Sequence, residues 1–205
     1  MRSVSLIHLV MTLLPNLLLA VPTRAAPMTI EGITFSDERG NFTIRGVTGT
    51  GSLTDPFVVV EDVTGLEPML IIRLPGADFD NRIGTRDPIG MAIVKVVINH
   101  SGTTWYGFRI EPRETPARSS PDSDGLFLGQ GWSIRPPMAS NAFRRVQIAD
   151  QPLDALDFDD GQIEEGQTVV FNFFLTDSTW QSEIFVLQAP KTNIACIWPR
   201  QTAVC

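Results

Sequence analysis

Apolar residues that recur at every second position are the feature that most constrains how this chain can fold. Between residues 168 and 176 the apolar positions run from Val169 to Leu175, with Phe171 and Phe173 on the same side. Successive side chains of a strand point to opposite faces, so this spacing predicts a half-buried strand. Helical periodicity is nearly absent. The same pattern predicts strands at residues 29–35, 42–47, 57–61, 69–74, 91–99, 105–111, 168–176 and 183–188.

The segment 91–99 differs from the other predicted strands because nearly all of both its faces is apolar. One face runs from Ala92 to Ile98 without a polar residue, and the other is interrupted only by Lys95 and Asn99. A strand that is apolar on both sides is buried on both sides. This strand is therefore expected at the centre of a sheet.

Turn residues separate the predicted strands. Residues 99–102 join two of them, and residues 177–182 join the last two, which we expect to be antiparallel neighbours. Residues 112–137 are rich in Pro and Gly and predict a long loop with at most one short strand at 126–128. Short strands with such turns predict an all-β fold, an antiparallel β-sandwich of the immunoglobulin-like or jelly-roll-like kind, with a barrel as the lesser alternative.

Residues 1–25 have the layout of a secretory signal peptide. A positively charged start precedes the mostly apolar segment 4–21, and small residues lead to a cleavage site after Ala25, with Ala20 as a competing site. An uncleaved membrane anchor is the alternative, which Pro15 disfavours by breaking the apolar segment. The remaining residues, 26–205, are long enough for one β-sandwich domain. We therefore predict a periplasmic or secreted protein with no membrane span after cleavage.

The charge of the chain disfavours nucleic acid as a partner. The net charge is −7 over the full sequence, and loss of Arg2 and Arg24 with the signal peptide changes it to −9. Phosphate backbones bind clustered Lys and Arg, whereas the predicted mature chain has scattered arginines and only Lys95 and Lys191. An anionic membrane surface is disfavoured for the same reason.

Cys196 and Cys205 are the only cysteines, and both lie near the carboxyl terminus. In an oxidising compartment an isolated pair of this kind predicts a disulfide that closes the tail 196–205. A zinc site is the alternative, but it would need further ligands, and His100 is the only histidine outside the signal peptide.

Two segments carry a resemblance to a known group of proteins. The first is Val97-Ile98-Asn99-His100-Ser101-Gly102-Thr103-Thr104-Trp105-Tyr106-Gly107-Phe108-Arg109-Ile110, and the second is the strand that follows Gly161, with its core Glu-Glu-Gly-Gln-Thr-Val-Val-Phe-Asn-Phe. They resemble a hairpin and a later strand of β-sandwich modules in exported bacterial proteins of the PEP-CTERM-associated type. Two departures are Glu165, where the pattern favours Pro, and the missing carboxyl-terminal sorting signal. The resemblance implies a sandwich fold and export rather than an activity.

Residues that could carry catalysis are few, so the sequence predicts a protein that is not an enzyme. A histidine-dependent site would have to use His100, which lies in a predicted turn, and there is no G-x-S-x-G motif. Paired carboxylates such as Glu111/Glu114 and Asp122/Asp124 leave a hydrolase open, although most acids lie in predicted turns.

Calcium is the one metal that the acidic turns suggest. The weak candidate ligands are Asp157, Asp159 and Asp160, but the spacing lacks the alternating ligands of an EF-hand. The sequence otherwise predicts no cofactor.

Trp132 and Trp180 are the candidate ligand-binding residues, because each lies in a predicted loop. Trp180 would either cap the open end of the sandwich or stack against a sugar, with Asp177, Gln181 or Ser182 available for its hydroxyl groups. The functional prediction is an exported, non-catalytic module with a structural or interaction role and an unknown protein or glycan partner. A carbohydrate-binding module is the alternative, and a hydrolase that uses acidic turns is the third hypothesis.

Overall fold

The computed structural model describes residues 26–76, 79–121, 123–128, 137–149 and 154–192. The predicted signal peptide, Trp132, Cys196 and Cys205 lie outside these ranges. Within them the chain is all-β, with no α-helix, and no helix is long and apolar enough to span a membrane. The strands are β1 (Met28–Ile30), β2 (Ile33–Ser36), β3 (Phe42–Thr48), β4 (Phe57–Val63), β5 (Met69–Arg73), β6 (Ile89–Asn99), β7 (Gly107–Arg113), β8 (Leu126–Phe127), β9 (Ala139–Ser140), β10 (Arg145–Ala149), β11 (Ala155–Asp159), β12 (Thr168–Asp177) and β13 (Glu183–Lys191).

The strands form two sheets that pack face to face as a β-sandwich, which confirms the predicted fold class. The first sheet has the order β1-β2-β5-β13-β7-β11-β10, and the second has the order β3-β4-β6-β12-β8, with β9 also paired to β12. Neighbouring strands are antiparallel except for β4 and β6, which are parallel. These two can run in the same direction because the chain passes through β5 of the first sheet between them.

β6 is central, as its two apolar faces predict. It lies between β4 and β12 and pairs with ten successive residues of β12, from Ile89↔Asp177 to Ile98↔Thr168. The inward face of β12 is buried from Val169 to Leu175, as its period of two predicts. Phe171 lies at the middle of this face, with its ring centroid 4.6 Å from that of Phe108 and 4.8 Å from that of Phe158.

The segment 29–35 was predicted as one strand and is a hairpin. Glu31 and Gly32 form a tight turn with φ values of 49° and 77°, and Ile30 pairs with Ile33 across it. Positive φ at both central residues is the conformation that two-residue hairpins require. The glycine at the second position makes this turn accessible, so β1 and β2 replace the single predicted strand.

Two connections that were expected to form hairpins cross between the sheets instead. Residues 99–106 lead from β6 of the second sheet to β7 of the first, and residues 178–182 lead from β12 of the second to β13 of the first. The expectation that the last two strands are antiparallel neighbours was therefore wrong. Both strands of each pair already have hydrogen-bonded partners on both sides in their own sheets, so the short connections act as arches over the core.

The arch after β6 is closed by hydrogen bonds between side chains and backbone. The Asn99 side chain accepts hydrogen bonds from the Ser101 backbone and hydroxyl at 3.1 and 2.7 Å, and donates to the Thr103 carbonyl at 2.7 Å. The fully buried Trp105 donates from its indole nitrogen to the Ser101 hydroxyl at 2.9 Å. The Asn, the small turn and the Trp therefore close one end of the sandwich, and His100 is 45% exposed at its surface.

Candidate functional site

The calcium candidates lie on the outer face of the first sheet rather than together in a turn. Asp157 and Asp159 are residues of β11, while Asp160 follows it with a positive φ of 61°. Lys191 lies between the first two, 2.8 Å from Asp157 and 3.0 Å from Asp159. Arg144 pairs with Asp160 at 3.3 Å. The three carboxylates are thus engaged with cations, and no group of three metal-ligating side chains is present within the ranges that the structure describes.

β11 was interpreted as an acidic turn because Asp157, Asp159 and Asp160 lie close together just before Gly161. Leu156 and Phe158 are fully buried in the core, which places the aspartates on the opposite face. There they are neutralised by Arg109 of β7 and Lys191 of β13. The interstrand ion pairs explain these acids without a metal.

A polar cleft lies at one end of the sandwich, where the chain leaves β7 and returns through β8. Its volume is about 260 Å³. Its walls are carboxylates, hydroxyls and one guanidinium, contributed by Glu114, Thr115, Arg118, Ser119, Ser120, Pro121, Ser123 and Asp124.

The floor of the cleft is held by side chains that bond to the backbone. The Ser120 hydroxyl is buried and donates to Asp124, whose other oxygen accepts from the Leu126 backbone at 3.0 Å. The Ser178 backbone donates to the Gly125 carbonyl at 2.9 Å, which joins this loop to the end of β12. Gly125 has a φ of 94°, and a Cβ there would lie 2.2 Å from the Ser178 hydroxyl. Only glycine allows this close approach.

Asp177, the last residue of β12, adds a buried carboxylate at this end of the molecule. One oxygen accepts from the Thr179 backbone at 2.7 Å and from its hydroxyl at 2.8 Å, while the other has no hydrogen-bond partner among the described residues. Burial raises the pKa of Asp177, and the negative charge of Asp124 raises it further against the bonds from Thr179.

Glu114 shares the acidic environment of the cleft. Loss of solvation raises its pKa, and the charges of Asp124 and Asp177 add to this effect while Arg118 opposes it. Three carboxyl groups from distant parts of the sequence are therefore electrostatically coupled. With their raised pKa values, Glu114 and Asp177 hold a proton more readily than ordinary acids do, and a protonated carboxyl can donate as well as accept hydrogen bonds.

Trp180 lies in the arch between β12 and β13, next in sequence to Gln181, whose side chain reaches the cleft wall. Its side chain is 45% exposed, and its ring meets the edge of Phe79 with centroids 6.5 Å apart and an interplanar angle of 88°. Gln181 donates to Glu114 at 3.0 Å, which ties the arch to the cleft wall. The ring is thus held from one side while much of it faces solvent. An aromatic surface next to coupled carboxyl and amide groups can hold a hydroxyl-rich ligand.

Sequence reasoning had named Trp180, Asp177 and Gln181 together, since they are near neighbours in the chain. Glu114 and Asp124 were named only as members of two separate acidic pairs. Ser120 and Arg118 were not singled out, and no local pattern marks them. Their contribution depends on the path of the loop between β7 and β8.

Neither a family model, nor a curated protein, nor a solved structure matches this chain.

Proposed function

We propose that this protein is an exported, non-catalytic β-sandwich whose function is to bind a glycan at the end cleft beside Trp180. The signal-peptide pattern of residues 1–25 supports export to the periplasm or the medium. The likeness of two segments to PEP-CTERM-associated modules supports the same location. A glycan ligand corresponds to the carbohydrate-binding module that the sequence analysis gave as the alternative hypothesis.

The half-exposed ring of Trp180 is the observation that carries the proposal. A residue that merely capped the core would bury nearly all of its surface, whereas Trp180 leaves 45% exposed and rests on Phe79 by an edge contact. Sugar rings stack on such aromatic faces, and their hydroxyls bond to carboxylates and amides. Glu114 and Gln181, which bond to each other at 3.0 Å, supply these groups.

A glycan array with the mature protein tests the proposal. We expect binding to a restricted set of glycans, and we expect Trp180→Ala to weaken it by about tenfold or more, since tenfold corresponds to ~1.4 kcal/mol. Leu66→Ala is the matched control, because Leu66 is the other exposed large apolar residue of the described ranges, at 53%. Failure to bind any glycan, or unchanged binding by Trp180→Ala, would contradict the proposal and favour a protein partner.

A hydrolase is the second candidate, favoured by one specific observation. The Glu114 carboxyl has a raised pKa, mainly through burial and then through its acidic neighbours, and it lines a cleft with Asp124. A glycosidase uses one carboxyl group with a raised pKa as its acid and a second as base or nucleophile.

Product release distinguishes the two candidates. An assay for new reducing ends on a panel of polysaccharides should show none with the wild-type protein if it only binds. Release that disappears in Glu114→Gln while folding is retained would establish the hydrolase instead.

A further inference from the structure

Three polar side chains meet in the middle of the apolar core. Glu61 of β4 and Lys95 of β6 belong to the second sheet, and Gln188 of β13 belongs to the first. All three are fully buried. The inward face of β6 is otherwise apolar around Lys95, so the site has no access to solvent through its own strand.

One carboxylate oxygen contacts both nitrogen atoms of this triad. Lys95 Nζ donates to Glu61 Oε2 at 2.8 Å, and Gln188 Nε2 donates to the same atom at 3.4 Å. The amine and the amide are thereby both held at one oxygen of a single carboxyl group. Glu61 Oε1 and Gln188 Oε1 have no hydrogen-bond partner among the described residues.

The surroundings favour the neutral forms of the pair. Burial raises the pKa of Glu61, and the negative charge of Asp37 raises it further. Burial lowers the pKa of Lys95. The attraction between Glu61 and Lys95 opposes both of these shifts. A buried ion pair gains too little from attraction to offset its lost hydration unless it is well hydrogen-bonded, and here two acceptor atoms lack donors. Transfer of the ammonium proton across the 2.8 Å contact to Glu61 Oε2 gives a protonated carboxyl group and leaves Lys95 as a nucleophilic amine.

We propose that Lys95 and Gln188 become joined within the folded protein by an isopeptide bond between the two sheets, with Glu61 as the group that transfers the protons. No enzyme, metal or oxidant takes part. The inference is independent of the proposed function, because the triad lies inside the core and the cleft lies at the end.

The reaction balances without an added reagent. The lone pair of neutral Lys95 Nζ attacks Cδ of Gln188, a carbon–nitrogen bond forms, and the protonated Glu61 donates to the carbonyl oxygen as negative charge develops there. Glu61 then takes a proton from Nζ and delivers one to Nε2. The bond between Cδ and Nε2 breaks, ammonia leaves, and the hydroxyl on Cδ returns its proton to Glu61 as the carbonyl re-forms, so that Glu61 ends protonated as it began. No atom is oxidised or reduced.

The mass of the wild-type protein provides the first test. The exported protein is reduced, denatured and weighed, and we expect its mass to be lower by one ammonia molecule than that calculated from its amino-terminal residue to Cys205. A peptide map should contain one branched species that joins the β6 segment around Lys95 to the β13 segment around Gln188. A wild-type protein of unmodified mass, with no branched peptide, would overturn the proposal.

Single variants test the role of each residue. Lys95→Met, Gln188→Met and Glu61→Gln should each restore the full mass expected for their sequences. Lys191→Met is the matched control, because Lys191 is the only other lysine of the predicted mature chain and lies on the outer face; it should still lose ammonia. A Glu61→Gln variant that remains folded by circular dichroism and still forms the link would overturn the role given to Glu61.

Loss of ammonia at an asparagine is the one side reaction with the same mass change. It would persist in Lys95→Met and would give no branched peptide, and that result would overturn the proposal. Where a variant fails to fold, the wild-type peptide map alone still decides whether the link exists.

Discussion

The buried carboxyl of Asp177 interacts through its charge with Glu114 and Asp124, the two acids that line the cleft. It accepts two hydrogen bonds from Thr179, yet its other oxygen has no partner among the described residues. Burial, with smaller effects from the charges of Asp124 and Asp87, raises its pKa above the ordinary 3.8. The folded protein therefore holds this proton more tightly than the unfolded chain does. Stability from this group is fully present below the unfolded pKa and is lost as the pH rises through the folded pKa.

Asp177→Asn should consequently make stability less dependent on pH. The amide oxygen can still accept from Thr179, but the group no longer ionises. We expect the variant to gain stability relative to wild type as the pH rises from about 4, levelling off above the folded pKa. Thermal unfolding across this pH range measures the effect, with exposed Asp80→Asn as the control. A stability difference that is constant with pH, or that shrinks as pH rises, would contradict the assignment.

Gly125 determines how closely the loop before β8 approaches the end of β12. Gly125→Ala should destabilise the protein by more than the ~1–2 kcal/mol that a left-handed backbone costs a non-glycine residue, because its Cβ would also lie 2.2 Å from the Ser178 hydroxyl. Gly84→Ala isolates the backbone effect, since Gly84 has a φ of 74° and no atom within 4 Å of its Cβ position. Urea unfolding measures the free energy of unfolding of both variants. Equal decreases in the two variants would mean that the loop moves to accommodate the added Cβ, and they would contradict the prediction.

At the scale of elements, β12 connects the core with the cleft. Its inward face carries Phe171, whose ring contacts those of Phe108, Phe143 and Phe158, and its last residue is Asp177. Its length of ten residues lets it pair with β6 along the core and with β8 beside the cleft. The packing of one strand therefore positions the candidate site.

Phe171→Ala should cost about 3–5 kcal/mol of unfolding free energy, because it removes a fully buried ring from an aromatic cluster and leaves a cavity. Val170→Ala, one position away on the opposite face, should cost less than about 1.5 kcal/mol. Denaturant unfolding of both variants measures the contrast. Similar decreases in the free energy of unfolding of Phe171→Ala and Val170→Ala would contradict the assignment of the two faces of β12.

At the scale of the whole molecule, central strands and edge strands differ in how well they are protected. β6 and β12 have partners on both sides, whereas β1 and β10 form the two edges of the first sheet. Local opening needs the loss of fewer contacts at an edge than at the centre. The order of stability across the sandwich should follow this arrangement.

Amide hydrogen exchange checks that order. Backbone amides of β6 and β12 should exchange slowest, at rates close to global unfolding, and those of β1 and β10 should exchange fastest. Edge strands that are as well protected as β6 would show that another part of the chain or a second molecule covers them.

The sequence by itself determined the strands with strong alternation, the central position of β6 and the inward face of β12. These properties depend on residues that are neighbours in the chain, because a strand repeats every two positions whatever it packs against. β10 was missed because it is short and only half-buried, so that Val146 and Ile148 are its only large apolar residues. β11 was read as a turn because two of its five residues are aspartates.

Only the tertiary structure decided which sheet each strand joins and which polar groups meet. A short polar connection serves equally as a hairpin or as an arch, so residues 178–182 do not reveal that they cross the core. Lys95 was visible as the charge on an apolar face, but Glu61 lies 34 positions away and Gln188 lies on the other sheet. The cleft likewise joins Glu114 to Gln181 across 67 positions. Contacts over such separations follow from the order of strands in space, which no local spacing records.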